Sequence, residues 1–269
     1  MLDSTLCSRA MRPAESVVIG LGADPQIPAL LEAPCVHHRW YLPLKRGVEW
    51  VMALFLLVGS SPLLCVLAVL VKATSRGPAF YAQTRLGRSG RGYRILKLRT
   101  MCHNAEAHSG PVWAAKDDVR VTALGKFLRD THLDELPQLW NVLRGEMSLI
   151  GPRPERPEIA ARISARVPSF YHRLMLPPGV TGLAQMLCPA DDPNDADYEG
   201  VRRKLAHDLL YIREASPLLD LKIAACTSCY LFVAVVDAVR RRLLGSYSTK
   251  IQSLPVLPAM AVEFEQGAA

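Results

Sequence analysis

The sequence lacks the spacing patterns that mark several common protein classes. Its seven cysteines are an odd number without a compact framework, so we expect reduced thiols in a cytosolic setting rather than a disulfide scaffold. Zinc-finger spacing, an RNA-binding aromatic signature and a basic heptad region are all missing, so no nucleic-acid partner is expected. The formal net charge of +7 instead favours phosphate-rich partners or an anionic membrane surface. Residues 1–34 lack a continuous apolar core and are interpreted as a flexible arm, not a signal peptide.

The longest apolar run lies between residues 47 and 71. Glu49 is its only formal charge, and the run is long enough to span a bilayer. Ser61 and Pro62 fall near its centre, where proline removes a backbone donor and bends a helix. Cytoplasmic flanks carry the lysine and arginine excess, and here basic residues flank both ends, namely Lys45, Arg46, Lys72 and Arg76. Two interpretations stay open: a kinked transmembrane helix, and a helix that enters the membrane, bends and returns to the same face.

Beyond this run, predicted strands and helices alternate with glycine and proline. Strands are expected over residues 79–84 and 93–99, joined by a glycine-rich turn at 87–92. Lys97 and Arg99 lie two residues apart on the second strand, so they are predicted to project from one face and to bind a diphosphate or lipid phosphate. Helical spacing recurs at residues 122–130, 157–166, 168–176 and 217–242. The apolar part of the last helix, residues 223–236, is too short to cross a bilayer unaided, which favours an interfacial or core helix.

Two adjacent acids, Asp134 and Glu135, stand at a predicted helix start. Thr131 precedes Asp134 by three residues, Pro137 suits a first turn, and apolar residues then recur at helical spacing. A helix N-terminus favours ionised carboxylates, which serve as nucleophiles or as oxygen ligands for Mg²⁺. The alternative is that both acids only cap the helix. The isolated histidines are interpreted as structural or surface residues: His132, His172 and His207.

Several longer motifs add to this pattern. The segment THLDELPQLWNVLRGEMSLIGPRP at residues 131–154 is joined by FYAQTRLG at 80–87, KLRTM at 97–101, PGVTGLAQ at 178–185, DLLYI at 208–212 and LDLK at 219–222. Together they make residues 44–243 resemble the bacterial sugar transferase family, the monotopic phosphoglycosyl transferases that start glycan assembly on polyprenyl phosphate. The sequence departs from the family pattern at Glu49 and Glu146, where aspartate is expected. It also departs at residues 187–189, Leu-Cys-Pro, which leaves the transferred sugar unassigned.

The resemblance implies a fold and a location. The expected fold is α/β, mainly helical with a small antiparallel sheet. It belongs to a monotopic membrane protein with interfacial helices and one re-entrant helix broken at Ser61 and Pro62. The implied parts are a flexible arm (1–43), the re-entrant helix (44–76), a catalytic domain (77–243) and a tail (244–269). The implied location is the cytoplasmic face of a bacterial inner membrane, in contact with membrane lipid.

The resemblance also implies a reaction. Asp134 is the implied nucleophile, which takes a phospho-sugar from a UDP-sugar, releases UMP and passes the phospho-sugar to undecaprenyl phosphate. Mg²⁺ is expected at Asp134 and Glu135, with Glu135 as a metal-site or proton-handling partner. Arg129 and Arg153 are the chosen phosphate clamps, because a guanidinium fork matches phosphate oxygens, and Lys97 and Arg99 are further phosphate-binding candidates. Downstream glycosyltransferases of exopolysaccharide, capsule, O-antigen or glycoprotein assembly are implied partners.

Two other function classes compete with this one. A metal-dependent phosphohydrolase or nuclease would require additional metal-binding carboxylates and gives no reason for a broken membrane helix. A non-enzymatic scaffold, anchored by residues 48–71, would not need the acids. The enzyme interpretation accounts for the acids, the arginines and the membrane segment together.

Overall fold

The structure is a computed structural model that describes residues 38–103, 105, 118–188 and 198–244. Most of the predicted arm (1–43) and the predicted tail beyond residue 244 therefore lie outside the described residues. Residues 38–43, which were assigned to the arm, are helical.

Helices dominate the described part of the chain. They are α1 (His38–Thr74), α2 (Ala123–Asp130), α3 (Gln138–Leu143), α4 (Pro157–Ser164), α5 (Leu183–Leu187), α6 (Glu199–Glu214) and α7 (Pro217–Leu244). The strands are β1 (Phe80–Leu86), β2 (Gly92–Leu98), β3 (Ser148–Ile150) and β4 (Gly179–Thr181). Short 3-10 segments cover Arg88–Gly90, Leu133–Glu135 and Pro168–Met175. The prediction of a mainly helical fold with a small antiparallel sheet is confirmed.

The strands form two separate pairs. β1 and β2 are antiparallel, with Phe80 opposite Leu98, which confirms the predicted hairpin and its glycine-rich turn. β3 and β4 are parallel, with Ser148 opposite Gly179. This second pair was not predicted, because a strand of three residues is too short to show an alternating pattern.

Helix α1 continues through the serine-proline pair. Pro62 has no N–H to donate to the carbonyl of Val58, four residues earlier. The hydroxyl of Ser61 donates to that carbonyl instead, at 2.7 Å, and the Ser60 hydroxyl donates to Leu56 O at 2.6 Å. The helix is thus a single element of 37 residues, about 55 Å long, without a change of secondary structure at the pair. The predicted return to the same membrane face stays a prediction.

One face of α1 packs on the rest of the protein over nearly its whole length. Tyr41, Ala53, Leu67 and Val71 are each at most 5% exposed, and they belong to three different hydrophobic clusters. The opposite face carries large exposed apolar side chains, namely Trp40, Val48, Val51, Phe55, Val58, Val66 and Val69. A patch of this size is unusual on a soluble protein and indicates association with a membrane.

Helix α7 repeats this two-faced pattern. Leu219, Ile223 and Ala238 are buried, whereas Leu218 and Phe232 are exposed. The helix is 28 residues long, well beyond the apolar stretch on which the sequence argument relied. By length and composition alone, both α1 and α7 could cross a membrane. The inference that the last helix is too short therefore does not hold for the whole element.

Candidate active site

The acid pair lies in a short 3-10 segment rather than in an α-helix. Asp134 and Glu135 end the 3-10 segment between α2 and α3. Thr131, the predicted N-cap, instead terminates α2, and its hydroxyl donates to Phe127 O at 2.8 Å. His132 then adopts a left-handed conformation with φ of 55°, which reverses the chain toward the acids. The predicted N-cap at Thr131 is wrong, whereas the acids do lie in the first turn of a helical segment, the 3-10 helix that precedes α3. Because this segment has only three residues, positive charge at the acids comes chiefly from neighbouring cations.

Glu135 is held by two of the predicted phosphate-binding cations. Its Oε1 lies 2.6 Å from Lys97 Nζ and 3.5 Å from a guanidinium nitrogen of Arg153. Burial alone raises the pKa of Glu135, but Lys97 and Arg153 together bring it down to about 2. Glu135 is therefore ionised throughout the physiological range.

Asp134 stands in a different environment, although it is the adjacent residue. It is 7% exposed, and no donor among the described residues lies within hydrogen-bonding distance of its carboxylate. Burial raises its pKa to about 6, Lys97 opposes this shift, the charge of Glu135 adds to it, and Arg129 and Arg153 oppose it. Two neighbouring carboxylates with separated pKa values are typical of acids that have distinct chemical roles.

Arg129 approaches Asp134 from α2. Its Nε donates to Thr100 Oγ1 at 2.8 Å, which fixes the guanidinium, and among the acids Asp134 has the largest electrostatic effect on the pKa of Arg129. Burial lowers the pKa of Arg129, but a guanidinium stays charged at neutral pH. Arg129 and Asp134 therefore interact electrostatically without a direct ion pair, and the role of Arg129 as a phosphate clamp stays a prediction.

The backbone around Arg153 is fixed from two sides. Gly151 N donates to Thr181 O at 2.9 Å, and the chains approach so closely that a Cβ on Gly179 would lie 2.1 Å from Gly151 N. Arg173 donates to Arg153 O at 3.0 Å and forms a buried ion pair with Asp208 at 2.6 Å. The ion pair between Arg173 and Asp208 was not predicted from the sequence, because its two residues lie in separate elements, the 3-10 segment before β4 and helix α6.

Arg99 does not share the environment of Lys97. It lies one residue beyond the end of β2, although its backbone N–H still donates to Ala79 O at 2.9 Å. Its guanidinium is buried and donates to Ser75 O at 2.9 Å and to the Ser75 hydroxyl at 2.8 Å, next to the C-terminal end of α1. Arg99 and Lys97 thus have different partners, and Arg99 anchors the end of α1. That both bind one phosphate stays a prediction.

A buried polar network anchors the other end of α1. Lys45 Nζ lies 2.7 Å from Glu49 Oε1 and 2.5 Å from Asp220 Oδ2. Glu49 also accepts from Ser148 Oγ at 2.5 Å and from Ile150 N at 3.1 Å, so the glutamate that departs from the family pattern reaches β3. Asp220 accepts from two further hydroxyls, those of Tyr41 and Tyr211. The network joins α1, α7 and the strand that leads to Arg153.

A predominantly apolar cavity of about 940 Å³ opens between α1 and α7. Its polar lining includes Glu135, Arg153 and His132 as well as the buried network of Lys45, Glu49 and Asp220, whereas Asp134 does not line it. Burial lowers the pKa of His132, and its ring lies 5.6 Å from that of Tyr230. Cys188, from the segment that departs from the family pattern, also lines the cavity, whereas Pro189 lies outside the described residues.

The acid pair fits a cation that takes part of its ligands from elsewhere. Within the described ranges, no group of three or more His, Cys, Asp or Glu side chains is placed to hold a metal ion. Mg²⁺ commonly binds through one or two carboxylates, and substrate phosphates and water complete its shell. Asp134 and Glu135 supply two hard oxygen ligands of this type.

Comparisons with known proteins agree with the motifs. A family model described as bacterial sugar transferase matches residues 40–234. The UDP-N-acetylgalactosamine-undecaprenyl-phosphate N-acetylgalactosaminephosphotransferase of Aeromonas hydrophila is 39% identical over 198 residues, 74% of this chain and 44% of that protein. A putative undecaprenyl-phosphate N-acetylgalactosaminyl 1-phosphate transferase of Bacillus subtilis is 46% identical over 134 residues, 50% of this chain and 74% of that protein. The UDP-glucose:undecaprenyl-phosphate glucose-1-phosphate transferase of Caulobacter vibrioides is 42% identical over 183 residues, which are 68% of this chain and 67% of that protein. This chain thus spans less than half of the Aeromonas protein.

Proposed function

The chain belongs to the bacterial sugar transferase family, and from that premise we propose that it transfers a sugar 1-phosphate from a UDP-sugar to undecaprenyl phosphate. The observation that carries the proposal is the turn with Asp134 and Glu135, which lies among Lys97, Arg129 and Arg153 beside an apolar cavity. The names of its relatives support the acceptor and a UDP-sugar donor. They specify two different sugars, so the proposal extends only to the donor class.

Asp134 is the proposed nucleophile. One of its carboxylate oxygens attacks the phosphorus that carries the sugar, and the bond from that phosphorus to the bridging oxygen breaks, so UMP leaves with the electron pair. An oxygen of undecaprenyl phosphate then attacks the same phosphorus and breaks its bond to Asp134. The products are undecaprenyl diphosphate sugar and the free carboxylate. A pKa near 6 leaves Asp134 mostly ionised at neutral pH, which suits a nucleophile.

The other residues bind and orient charge. Lys97, Arg129 and Arg153 offset the negative charge that accumulates when a diphosphate meets a carboxylate and a second phosphate. Glu135 has too low a pKa to donate a proton near pH 7, so its role is to hold the two cations that contact it and to serve as a metal ligand. Asp134 and Glu135 would hold Mg²⁺, which supplies charge neutralisation at the diphosphate.

We also propose the re-entrant topology for α1. Lys45 binds Asp220 near one end of the helix, and Arg99 binds Ser75 just beyond the other end. Both ends of α1 are therefore held by the same polar domain, which is difficult to arrange if the helix crosses a bilayer. We place that domain on the cytoplasmic face, where UDP-sugars are available.

Labelling of single cysteines tests this topology. In a background without the native cysteines, Met11→Cys and Ser248→Cys should both resist a membrane-impermeant thiol reagent in intact cells and react after lysis. Labelling of Met11→Cys in intact cells would contradict the re-entrant proposal. It would leave the chemistry of the acids unaffected.

The activity itself is tested with the purified full-length protein in lipid nanodiscs. It is incubated with Mg²⁺, undecaprenyl phosphate and a panel of UDP-sugars, and both UMP and the lipid-linked sugar are measured. The proposal predicts equimolar formation of the two products with at least one donor. UMP release with free sugar phosphate, and without a lipid product, would instead support the phosphohydrolase alternative. No turnover with any donor would favour the scaffold.

A further inference from the structure

We infer that the cavity between α1 and α7 binds the first isoprenoid units of the lipid acceptor and guides its phosphate to Glu135 and Arg153. This inference rests on the proposed function, because it assigns a binding path to the acceptor of that reaction. The part of the cavity that carries it is a pair of apolar rows on α1 and α7, together with Glu135 and Arg153, which also line the cavity.

The two apolar rows have the length that an elongated apolar ligand requires. On α1, residues Leu44, Val48, Met52 and Leu56 line the cavity at intervals of four, so they form a row about 18 Å long on one side of the helix. On α7 a second row faces the same space, with Leu221, Ala224, Leu231 and Val235 among its members. The two rows, here called the groove, form one part of the cavity, which is also lined by Lys45 and by the two acids that it binds, Glu49 and Asp220. The volume of the whole cavity, about 940 Å³, is in the range of cavities that bind organic ligands.

The groove opens on the membrane-facing surface. Leu44, Val48, Met52 and Leu221 are 46% to 66% exposed although they line it. The neighbouring positions on both helices are also exposed and apolar, for example Val51 and Leu218. A ligand dissolved in the bilayer can therefore enter from the side, and its apolar chain stays out of water throughout.

Two charged residues of the lining are suited to the head of such a ligand. Glu135 and Arg153 line the cavity, and a guanidinium nitrogen of Arg153 lies 3.5 Å from Glu135 Oε1. Glu135 is adjacent in the chain to Asp134, the proposed nucleophile. A phosphate that binds Arg153 from the groove therefore reaches the acid pair.

Pairs of matched tryptophan substitutions test the groove. Leu221 lines the cavity and is 66% exposed, whereas Leu218, three residues earlier on α7, does not line it and is 64% exposed. Met52 and Val51 form the corresponding pair on α1, with exposures of 46% and 47%. Since the members of each pair are equally exposed, tryptophan should affect folding and membrane contact similarly in both. Only the lining member fills the groove.

The measured quantities separate acceptor binding from the first half of the reaction. For Leu221→Trp and Met52→Trp, the KM for undecaprenyl phosphate at saturating UDP-sugar should rise at least about tenfold, while Leu218→Trp and Val51→Trp change it less than about twofold. Release of UMP in a single burst without acceptor should be unchanged in all four variants. Equal changes within each pair, or no change in either lining variant, would overturn the groove. Absence of the burst in the unmodified protein would instead count against the proposed function.

A photoreactive acceptor provides a second readout. An isoprenoid phosphate with a diazirine in its first units should label peptides that contain residues 44–56 or 217–235. Excess undecaprenyl phosphate should suppress this labelling, and the same concentration of phosphatidylglycerol should not. Equal suppression by both lipids would mean that the groove binds membrane lipid without selectivity, and would overturn the inference.

Discussion

Asp134 and Asp220 are buried to nearly the same extent but differ in their hydrogen bonds. Their exposed fractions are 7% and 8%. Asp220 accepts hydrogen bonds from Lys45, Tyr41 and Tyr211, whereas no described donor reaches Asp134. A buried carboxylate with all its bonds made stabilises a structure, whereas one without donors is costly and is retained where chemistry requires it. Burial alone therefore does not distinguish a structural acid from a reactive one, but the local supply of donors does.

Replacement of each aspartate by asparagine gives the largest expected effect. Asp134→Asn should lower transfer at least about a thousandfold, because an amide is a poor nucleophile, while the protein stays folded. Asp220→Asn leaves Lys45 buried with less compensating charge and should destabilise the protein by about 3 kcal/mol. Transfer assays combined with thermal unfolding in nanodiscs measure both. The comparison fails if Asp134→Asn unfolds the protein or if Asp220→Asn is as stable as the unmodified chain.

The contrast between residues that serve the reaction and residues that stabilise the structure also applies to the arginines. Arg129→Lys and Arg153→Lys keep the charge but lose the two-pronged donor, so catalytic efficiency should fall at least about tenfold, or ~1.4 kcal/mol in the transition state. Arg99→Lys should reduce the melting temperature with a smaller loss of activity, because Arg99 binds the end of α1. Kinetic assays and melting curves of the three variants measure the loss of catalytic efficiency and the change in melting temperature. Unchanged kinetics in folded Arg129→Lys and Arg153→Lys would make those arginines surface residues.

A third prediction uses the pKa values of the acid pair. The pKa of Asp134 is raised from 3.8 to about 6, so the folded protein binds the proton more tightly, and stability should fall by about 3 kcal/mol as the pH rises from 4 to 6. Glu135 has the opposite shift, from 4.5 to about 2, so its contribution is present above pH 4.5 and is lost on further acidification. Asp134→Asn removes the pH dependence that is due to Asp134 and leaves that of Glu135.

Chemical unfolding without Mg²⁺ measures this difference. The stability of Asp134→Asn relative to the unmodified protein should increase between pH 4 and 6 and then stay level. A constant difference across that range would show that Asp134 is not destabilised by burial.

Addition of Mg²⁺ should give the smallest change. A cation held by Asp134 and Glu135 stabilises the folded form at pH 7 by up to about 3 kcal/mol when it is present at a hundred times its Kd. Asp134→Asn should lose most of this increase, whereas Asp220→Asn should keep it. Thermal unfolding with and without Mg²⁺ gives the result, and equal shifts in all three proteins would place the cation elsewhere.

The sequence was sufficient where the signal is local. The glycine-rich turn predicted the β1–β2 hairpin. Asp134 and Glu135 were chosen for their position at a helix start and for the family motif, and their role stays a prediction. Thr131 was assigned wrongly because the same residue type can end one helix or begin the next, and the intervening turn at His132 leaves no pattern. That error concerns the position of a boundary, which local spacing determines poorly. The contact of Arg99 with Ser75, 24 residues earlier in the chain, was not predicted.

Other features could not be predicted because their partners are distant in the chain. Lys45 and Asp220 are separated by 175 residues, and no local pattern links them. The contact between Arg173 and the carbonyl of Arg153 joins two segments that were predicted separately. Only the family motifs that contain Asp208 and Asp220 indicated that these residues matter. Their structural roles required the three-dimensional arrangement.

The most direct test of the account is whether Asp134 becomes covalently modified. The full-length protein is mixed with a UDP-sugar and Mg²⁺ in the absence of lipid acceptor, quenched with acid and digested, and the peptide that contains residues 131–144 is analysed by mass spectrometry. The account predicts that this peptide gains the mass of a sugar phosphate at Asp134, that the modification disappears when undecaprenyl phosphate is added, and that Asp134→Asn never acquires it. Lipid-linked product that forms at full rate without any modified peptide, or modification of a residue other than Asp134, would contradict the account.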